Sequence, residues 1–466
     1  MVNQCFLLWC YITPVLGAVV AEQYLGRVKT IIYSSTIYIC GLTMLFMSSL
    51  PIAQDLGVSL AGLLSALFFI GIGAGGIKAN VSSLIAEQYA GPNEAKRVLN
   101  SGEEVIVDRA LTIERYPSHY ILSTFNQTKT NTIARIFSTF YLFISIGSFG
   151  PLLTTTIEQK HGFSAAFALP ILVFLLGFIV ILSSKNQYIT RPPESSIVFN
   201  ACHAFWIALK HKGNLDYARP SYLAEAASAS GSRSELEPES NLPWPDTFID
   251  DLKTALSSCK IFLLYPIYWA AYTQFVTNFV SQAATMKTHG IPNDIMPNID
   301  TFSVLLLLPL IDRVIFPFLR RHGLPVRHID RITLGFILIG TSMLYATFVQ
   351  RAIYASPPCY NHPRAPDCLG GKVPNQISIF VQAPAYILVA GSEILASVAG
   401  IEYAYTKAPV SMKSLVMAGY LSATSVGALL AMTVSPLTVD PLLPWLYVTL
   451  GLENFLAGGV LWFVFV

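Results

Sequence analysis

The sequence predicts an all-α, polytopic membrane protein, and three observations carry that prediction. Of its 466 residues, 53% are hydrophobic and only 12% are charged, about half the charged share usual in soluble domains. The charges are gathered into short clusters between apolar runs of about 17–28 residues, each long enough to cross a hydrocarbon core of about 30 Å. Lipid offers the backbone no partners, so each run must close its hydrogen bonds within itself, as a helix. A soluble core of this size has no room for so much apolar surface.

Taken in order, the runs predict about eleven transmembrane helices, at 5–21, 31–50, 60–85, 136–157, 163–184, 259–283, 301–319, 332–350, 378–401, 414–437 and 442–466. Cations in the intervening loops orient them. Alternate loops, beginning with the one that holds Arg27 and Lys29, carry 21 of the 29 Lys and Arg residues, and the other set carries 5. Arg320, Arg321, Arg327 and Arg331 crowd one short loop, while the loop at 51–59 has no cation. The cation-rich set is therefore cytoplasmic, and Met1 starts on the outer side.

The longest loop divides the chain into three parts: an N-terminal bundle of five spans over 1–184, a cytoplasmic linker over 185–258, and a C-terminal bundle of six spans over 259–466. Within the linker, 224–245 is rich in Ser, Glu, Ala and Pro and reads as disordered. Five plus six spans with an outside start read as six plus six with the first helix missing. No basic region or cleavage site marks 5–21 as a signal peptide.

Several function classes are excluded. No basic face interleaved with aromatics supports nucleic-acid binding. All eight histidines fall in loops, and neither an HExxH nor a GxSxG motif occurs. The residues therefore call for no enzyme activity, catalytic residue, metal or cofactor. Of the seven cysteines, only Cys359 and Cys368 share a short hydrophilic loop. They are expected to pair if that loop faces an oxidising compartment.

Two intramembrane charges carry the chemistry. Gly71-Ile-Gly-Ala-Gly-Gly76-Ile-Lys78 contains a formal GxGxxG, but no strand precedes it, and small residues on a membrane helix permit close helix approach. Lys78 follows within an apolar stretch, where a lysine costs about 2.5–3.5 kcal/mol unless it faces a polar cavity or reaches the interface. Glu393 lies deep in the span that begins near Ser378. It is either a cavity acid or a carboxyl held by hydroxyls such as Ser392. One base and one acid in opposite bundles suit a proton-coupled carrier of zwitterions. Glu402 and Asp312, near inner helix ends, are explained equally well by packing or ion pairing. Asp300, at the start of the seventh span, is a candidate helix N-cap or cavity residue.

Tyr11-Ile-Thr-Pro-Val-Leu-Gly17 with Gly26-Arg-Val-Lys-Thr30, Gly73-Ala-Gly-Gly-Ile-Lys78-Ala-Asn80, Phe140-Tyr-Leu-Phe-Ile-Ser145-Ile-Gly147-Ser148 and Glu393-Ile-Leu-Ala-Ser-Val-Ala-Gly-Ile-Glu402 resemble, in order, successive motifs of the proton-dependent oligopeptide transporters, a branch of the major facilitator superfamily. The likeness is nearest to the fungal di- and tripeptide carriers. It implies two six-helix bundles rocking around a central site, small peptides and protons as partners, and residence in the plasma membrane. No obligate protein partner is implied. By the same resemblance, Lys78 matches a lysine tied to proton coupling and the peptide carboxylate, and Glu393 matches the glutamate facing the peptide amino group. Trp269, Tyr272, Gln274, Asn278, Ser145 and Asp300 are cavity-lining candidates.

The chain departs from the family pattern in places. No counterpart of the first-helix E-x-x-E-R motif occurs, Ser145 stands where Asn is usual, Glu22 replaces an Asp, and 116–134 reads as an insertion. The sequon Asn126-Gln-Thr128 falls inside it, on the cytoplasmic side. Two alternatives stay open: a truncated, non-transporting member of the family, and a carrier of another small nitrogenous substrate.

Overall fold

The computed structural model describes residues 2–88, 94–98, 104–108, 143–144, 146–188, 197–222, 242–323, 327–371, 373–409 and 412–465. Ser145, the stretch 116–134 with its sequon, and 223–241 of the linker lie outside the described residues. Three long helices open the chain: α1 (Val2–Val20), α2 (Arg27–Ser48) and α3 (Ser59–Gln88). A short antiparallel pair, Glu94–Val98 with Glu104–Asp108, follows. Next come α4 (Gly150–Ser183), α5 (Ile197–Lys210) and α6 (Asp246–Cys259). The C-terminal part holds α7 (Tyr265–Tyr272), α8 (Asn278–Ala284), α9 (Asn298–Leu310), α10 (His328–Ala355), α11 (Ala383–Ser392), α12 (Ala399–Lys407), α13 (Lys413–Thr433) and α14 (Leu443–Phe465).

Among the described residues nine helices are long and apolar enough to cross a membrane, and the fold is all-α and polytopic. The difference from eleven has two local causes. First, the predicted spans 136–157 and 163–184 run together in α4, which at 34 residues would extend about 50 Å if straight. It is not straight: Gly162 leaves the helical region (φ 83°, ψ 175°) and breaks it at the predicted loop. Second, the predicted span 259–283 is interrupted between α7 and α8. Thr273 Oγ1 and Gln274 Nε2 both donate to the Ala270 carbonyl, at 3.0 and 2.8 Å, and Thr277 lies outside helical φ/ψ (−118°, −82°). Side chains competing for backbone acceptors disfavour a continuous helix here.

The N-terminal bundle is organised around the glycines of α3. A Cβ on Gly75 would lie 2.5 Å from Thr13 of α1, and one on Gly73 would lie 2.7 Å from Tyr38 of α2. Thr13 Oγ1 donates to the Gly71 carbonyl at 2.8 Å and Asn80 Nδ2 to the Gly17 carbonyl at 3.2 Å. The glycine run therefore serves helix packing, as the sequence led us to expect.

In the C-terminal bundle α10 packs against α11 and α14, closely enough that a Cβ on Gly451 would sit 3.1 Å from the Gly340 carbonyl. Three buried glutamines join its helices: Gln382 Nε2 donates to Gln282 Oε1, and Gln282 Nε2 donates to Gln350 Oε1, both at 2.7 Å. Contacts between the bundles include α1 against α13 and two named pairs. Cys5 of α1 meets Met432 of α13 at 3.7 Å, and the rings of Phe149 and Phe302 are 4.6 Å apart.

Cys359 and Cys368 form a disulfide, as expected for a loop on the outer side. The linker departs from its reading as a disordered tether at its end. Trp244 is 4% exposed, its Nε1 donates to the Ala218 carbonyl at 3.1 Å, and its ring packs edge-on against His203 and beside Phe248. A large aromatic with a satisfied N–H overrode the polar composition around it. The buried face of α5 and α6 (Ala201, Ala204, Ile249, Leu252) is continuous with the core of the C-terminal bundle.

Candidate functional site

On the N-terminal side the site begins with Lys78. The close packing of α1 on α3 fixes the register of the two helices and brings the Tyr11 ring beneath the ammonium, 5.3 Å from ring centroid to Nζ. A cation over a π-face is favoured by about 0.5–2 kcal/mol, more as water is excluded. Tyr11 was not singled out from the sequence as a site residue. Its signal is the glycine spacing, because Gly75 against Thr13 sets the register that places residue 11 beside residue 78.

On the C-terminal side Glu393 opens a π-helical turn, Glu393–Val398, an irregularity often found at functional positions in membrane helices. Its side chain is half-buried. Ser392, expected as a partner for that carboxyl, is engaged elsewhere: its Oγ donates to Tyr268 Oη at 3.2 Å. Lys78 belongs to the N-terminal bundle, and Glu393 and Asp300 belong to the C-terminal one.

Asp300 does not cap its helix. Pro297 occupies the N-cap, and Asp300 is the third residue of α9, only 5% exposed, with Oδ1 lacking any hydrogen-bond partner among the described residues. The remaining candidates separate. Trp269 and Tyr272 pack edge-to-face at 5.1 Å, with the Trp269 Nε1 buried and unpartnered among the described residues. Gln274 is fully buried beneath them and accepts from Asn278 Nδ2 at 2.5 Å. It props Asn278 rather than lining a cavity.

Glu402 pairs with Arg331 at 2.8 Å, and the Arg331 guanidinium stacks over Phe316 at 4.8 Å. This is the ion pairing that its place near an inner helix end suggested. No cluster of three metal-ligating side chains occurs among the described residues.

Long apolar helices carrying intramembrane charges of opposite sign define a polytopic membrane protein. A family model of the POT family (PTR2) matches residues 28–446, and the chain belongs to that family. It is 64% identical over 335 residues to the peptide transporter imqJ of Aspergillus flavus, covering 72% of this chain and 60% of that protein. It is 41% identical over 458 residues to the peptide transporter PTR_C of Candidozyma auris, covering 98% of this chain and 74% of that one. With the peptide transporter PTR2 of Saccharomyces cerevisiae it shares 36% over 460 residues, 99% of this chain and 70% of the relative. The chain thus spans about three-fifths to three-quarters of the length of these relatives. Among solved structures, the POT family transporter PepTSo superposes with a TM-score of 0.71 at 21% identity, over 99% of this chain and 88% of the other. At that identity the likeness concerns the fold.

Proposed function

We propose that the chain carries di- and tripeptides inward across the plasma membrane together with protons, by rocking of its two bundles about the site between them. The observation that supports this reading is the Lys78 ammonium over the Tyr11 ring in one bundle, with Glu393 and the buried Asp300 in the opposite bundle. A peptide has a carboxylate at one end and an ammonium at the other, and a cation facing acids across a cleft matches both ends at once. Glu393 favours a substrate with an amino group over an anion such as nitrate, which has nothing to offer a carboxylate. Proton entry supplies about 2.3 kcal/mol per charge per 100 mV of membrane potential, enough to drive accumulation.

The test is uptake of a labelled dipeptide into transporter-deficient cells expressing the chain, at an outside pH of about 5.5 and about 7.5. Acid-stimulated uptake lost in Lys78→Ala and Glu393→Gln is the expected result. Uptake indifferent to outside pH, or absent although the protein reaches the membrane, would overturn the reading.

A further inference from the structure

The packing of α10 against α14 leaves a groove that the site between the bundles does not use. It holds about 450 Å³, and its walls include Asp330, Thr333 and Ile337 of α10 with Phe455, Gly459 and Trp462 of α14. Two adjacent glycines shape it. A Cβ on Gly458 would lie 3.2 Å from the Phe336 Cβ, so this residue lets the helices close up, whereas a Cβ on Gly459 would meet nothing within 4 Å. The floor at Gly459 is therefore bare backbone with open space above it. Leu334, Ile337 and Trp462 flank that floor and are exposed, so the groove opens to the outside of the bundle, where both spans meet lipid.

Its depth follows from the chain. α10 begins, and α14 ends, on the side that the loop cations mark as cytoplasmic. At about 1.5 Å per residue, Asp330 is about 3 Å and Ile337 about 14 Å from the start of α10, while Trp462 is about 5 Å and Phe455 about 15 Å from the end of α14. The groove thus runs from the headgroup boundary into the acyl region of the inner leaflet, polar at its mouth and apolar below.

Two polar groups at that mouth are left over. Thr333 is 8% exposed, and its Oγ1 has no hydrogen-bond partner among the described residues. The other threonines of α10 behave differently: Thr341 and Thr347 donate to the carbonyls four residues back, at 2.8 and 3.0 Å. Asp330, one turn before Thr333, has neither ion pair nor hydrogen bond among the described residues. The adjacent cation, Arg331, is taken by Glu402 and by the Phe316 ring. An acid in the first turn complements the helix dipole, but that leaves the Thr333 hydroxyl unexplained, and buried hydroxyls are rarely unpaired.

We propose that this groove binds a sterol, its hydroxyl between Asp330 and Thr333 and its fused rings over Gly459, between Trp462 and Ile337. A lone hydroxyl both donates and accepts, which suits a carboxylate that only accepts beside a threonine hydroxyl free to donate. A rigid four-ring body covers bare glycine backbone at little cost in conformational entropy, unlike a flexible acyl chain. An amine phospholipid would bring its phosphate against Asp330, and an acyl chain alone would leave both oxygens unpaired. The volume falls within the roughly 300–1,000 Å³ of small-molecule sites. The bound sterol braces α10 against α14 at the end where Arg331 ties α10 to Glu402 of α12.

The test places the full chain in phosphatidylcholine nanodiscs with a sterol that carries a diazirine on its rings and an alkyne on its tail. After irradiation the labelled peptides are mapped by mass spectrometry. Label is expected to concentrate on 328–337 and 455–462. It should fall about fivefold or more with excess cholesterol, but not with the methyl ether of cholesterol, which cannot donate to Asp330. Gly459→Leu fills the groove where no atom stands in the way, and Asp330→Ala removes the carboxylate at its mouth. Each is expected to cut labelling of both segments about fivefold or more, with Tm in sterol-free detergent close to that of the wild type. Label spread evenly over the lipid-facing helices, equal competition by the ether, or unchanged labelling in the variants would overturn the site. Displacement by phosphatidylethanolamine but not by cholesterol would assign the groove to an amine headgroup and overturn the sterol assignment. If Gly459→Leu does not fold, Asp330→Ala decides by itself, since unchanged labelling there removes the anchor on which the proposal stands.

Discussion

Lys78 and Glu393 stand out in the sequence because a lone charge in twenty apolar residues has few explanations. Their companions were not. Tyr11 and Asp300 acquire meaning only from the register of one helix against another, and Gln274 looks like Asn278 in a sequence although one is a buried prop and the other half-exposed. Lys78→Ala and Glu393→Gln are each expected to lower kcat/KM for dipeptide uptake by about tenfold to a hundredfold, the loss of roughly 1.4–2.7 kcal/mol. Initial rates over a range of peptide concentrations check this. Glu402→Ala should leave uptake within about twofold, because Glu402 meets Arg331 at the inner helix ends. A half-exposed pair of this kind is worth about 1 kcal/mol or less, so a thermal shift of a few degrees in detergent is the expected readout.

At the scale of elements, periodicity and apolar length located most of the helices, and the exceptions have local chemistry. The break at Gly162 fell where a loop was drawn, but the interruption at Thr277 was invisible because it arises from Thr273 and Gln274 claiming one carbonyl. The glycines of α3 predict their own test. Gly75→Leu would drive a side chain into Thr13 and the α1 backbone, an overpacking cost of about 1–3 kcal/mol, read as a lowered Tm and earlier aggregation in detergent.

The linker makes a prediction about pH. Asp216 accepts from Lys253 Nζ at 2.7 Å and Arg219 Nε at 2.8 Å, and Arg219 also reaches Asp250. Hydrogen bonds from Lys253 and then Arg219 hold the Asp216 carboxyl below its ordinary value, and Arg219 does the same for Asp250. A lowered carboxylate pKa gives stability that is present above the unfolded value of about 3.9 and is lost as pH falls through the folded value. Protease resistance of α5 and α6 should therefore be flat from about pH 8 to 5 and should fall only below about pH 4.

At the scale of the molecule, the division into two bundles came from a long polar loop and from counting spans, and the proposed carrier gives that division a use. If the bundles must separate to pass a peptide, joining them should stop transport. Replacing Phe149 and Phe302, whose rings meet at 4.6 Å, with cysteines and bridging these by a short cleavable bifunctional reagent is expected to cut uptake to about a tenth or less. Cleaving the bridge should restore it, and neither single cysteine should respond.

The docking of α5 onto the C-terminal core sets a mechanical limit of its own. Because α5 packs on the C-terminal core, the two bundles are joined by the chain between Tyr188, at the end of the described N-terminal bundle, and Ile197, the first residue of α5. Nine peptide steps reach about 30 Å at full stretch. If the bundles rock as proposed, that span, rather than the much longer loop suggested by residues 185–258, sets how far the cytoplasmic mouth can gape. Its length is a dial that insertion or deletion of a few residues would turn without touching the site.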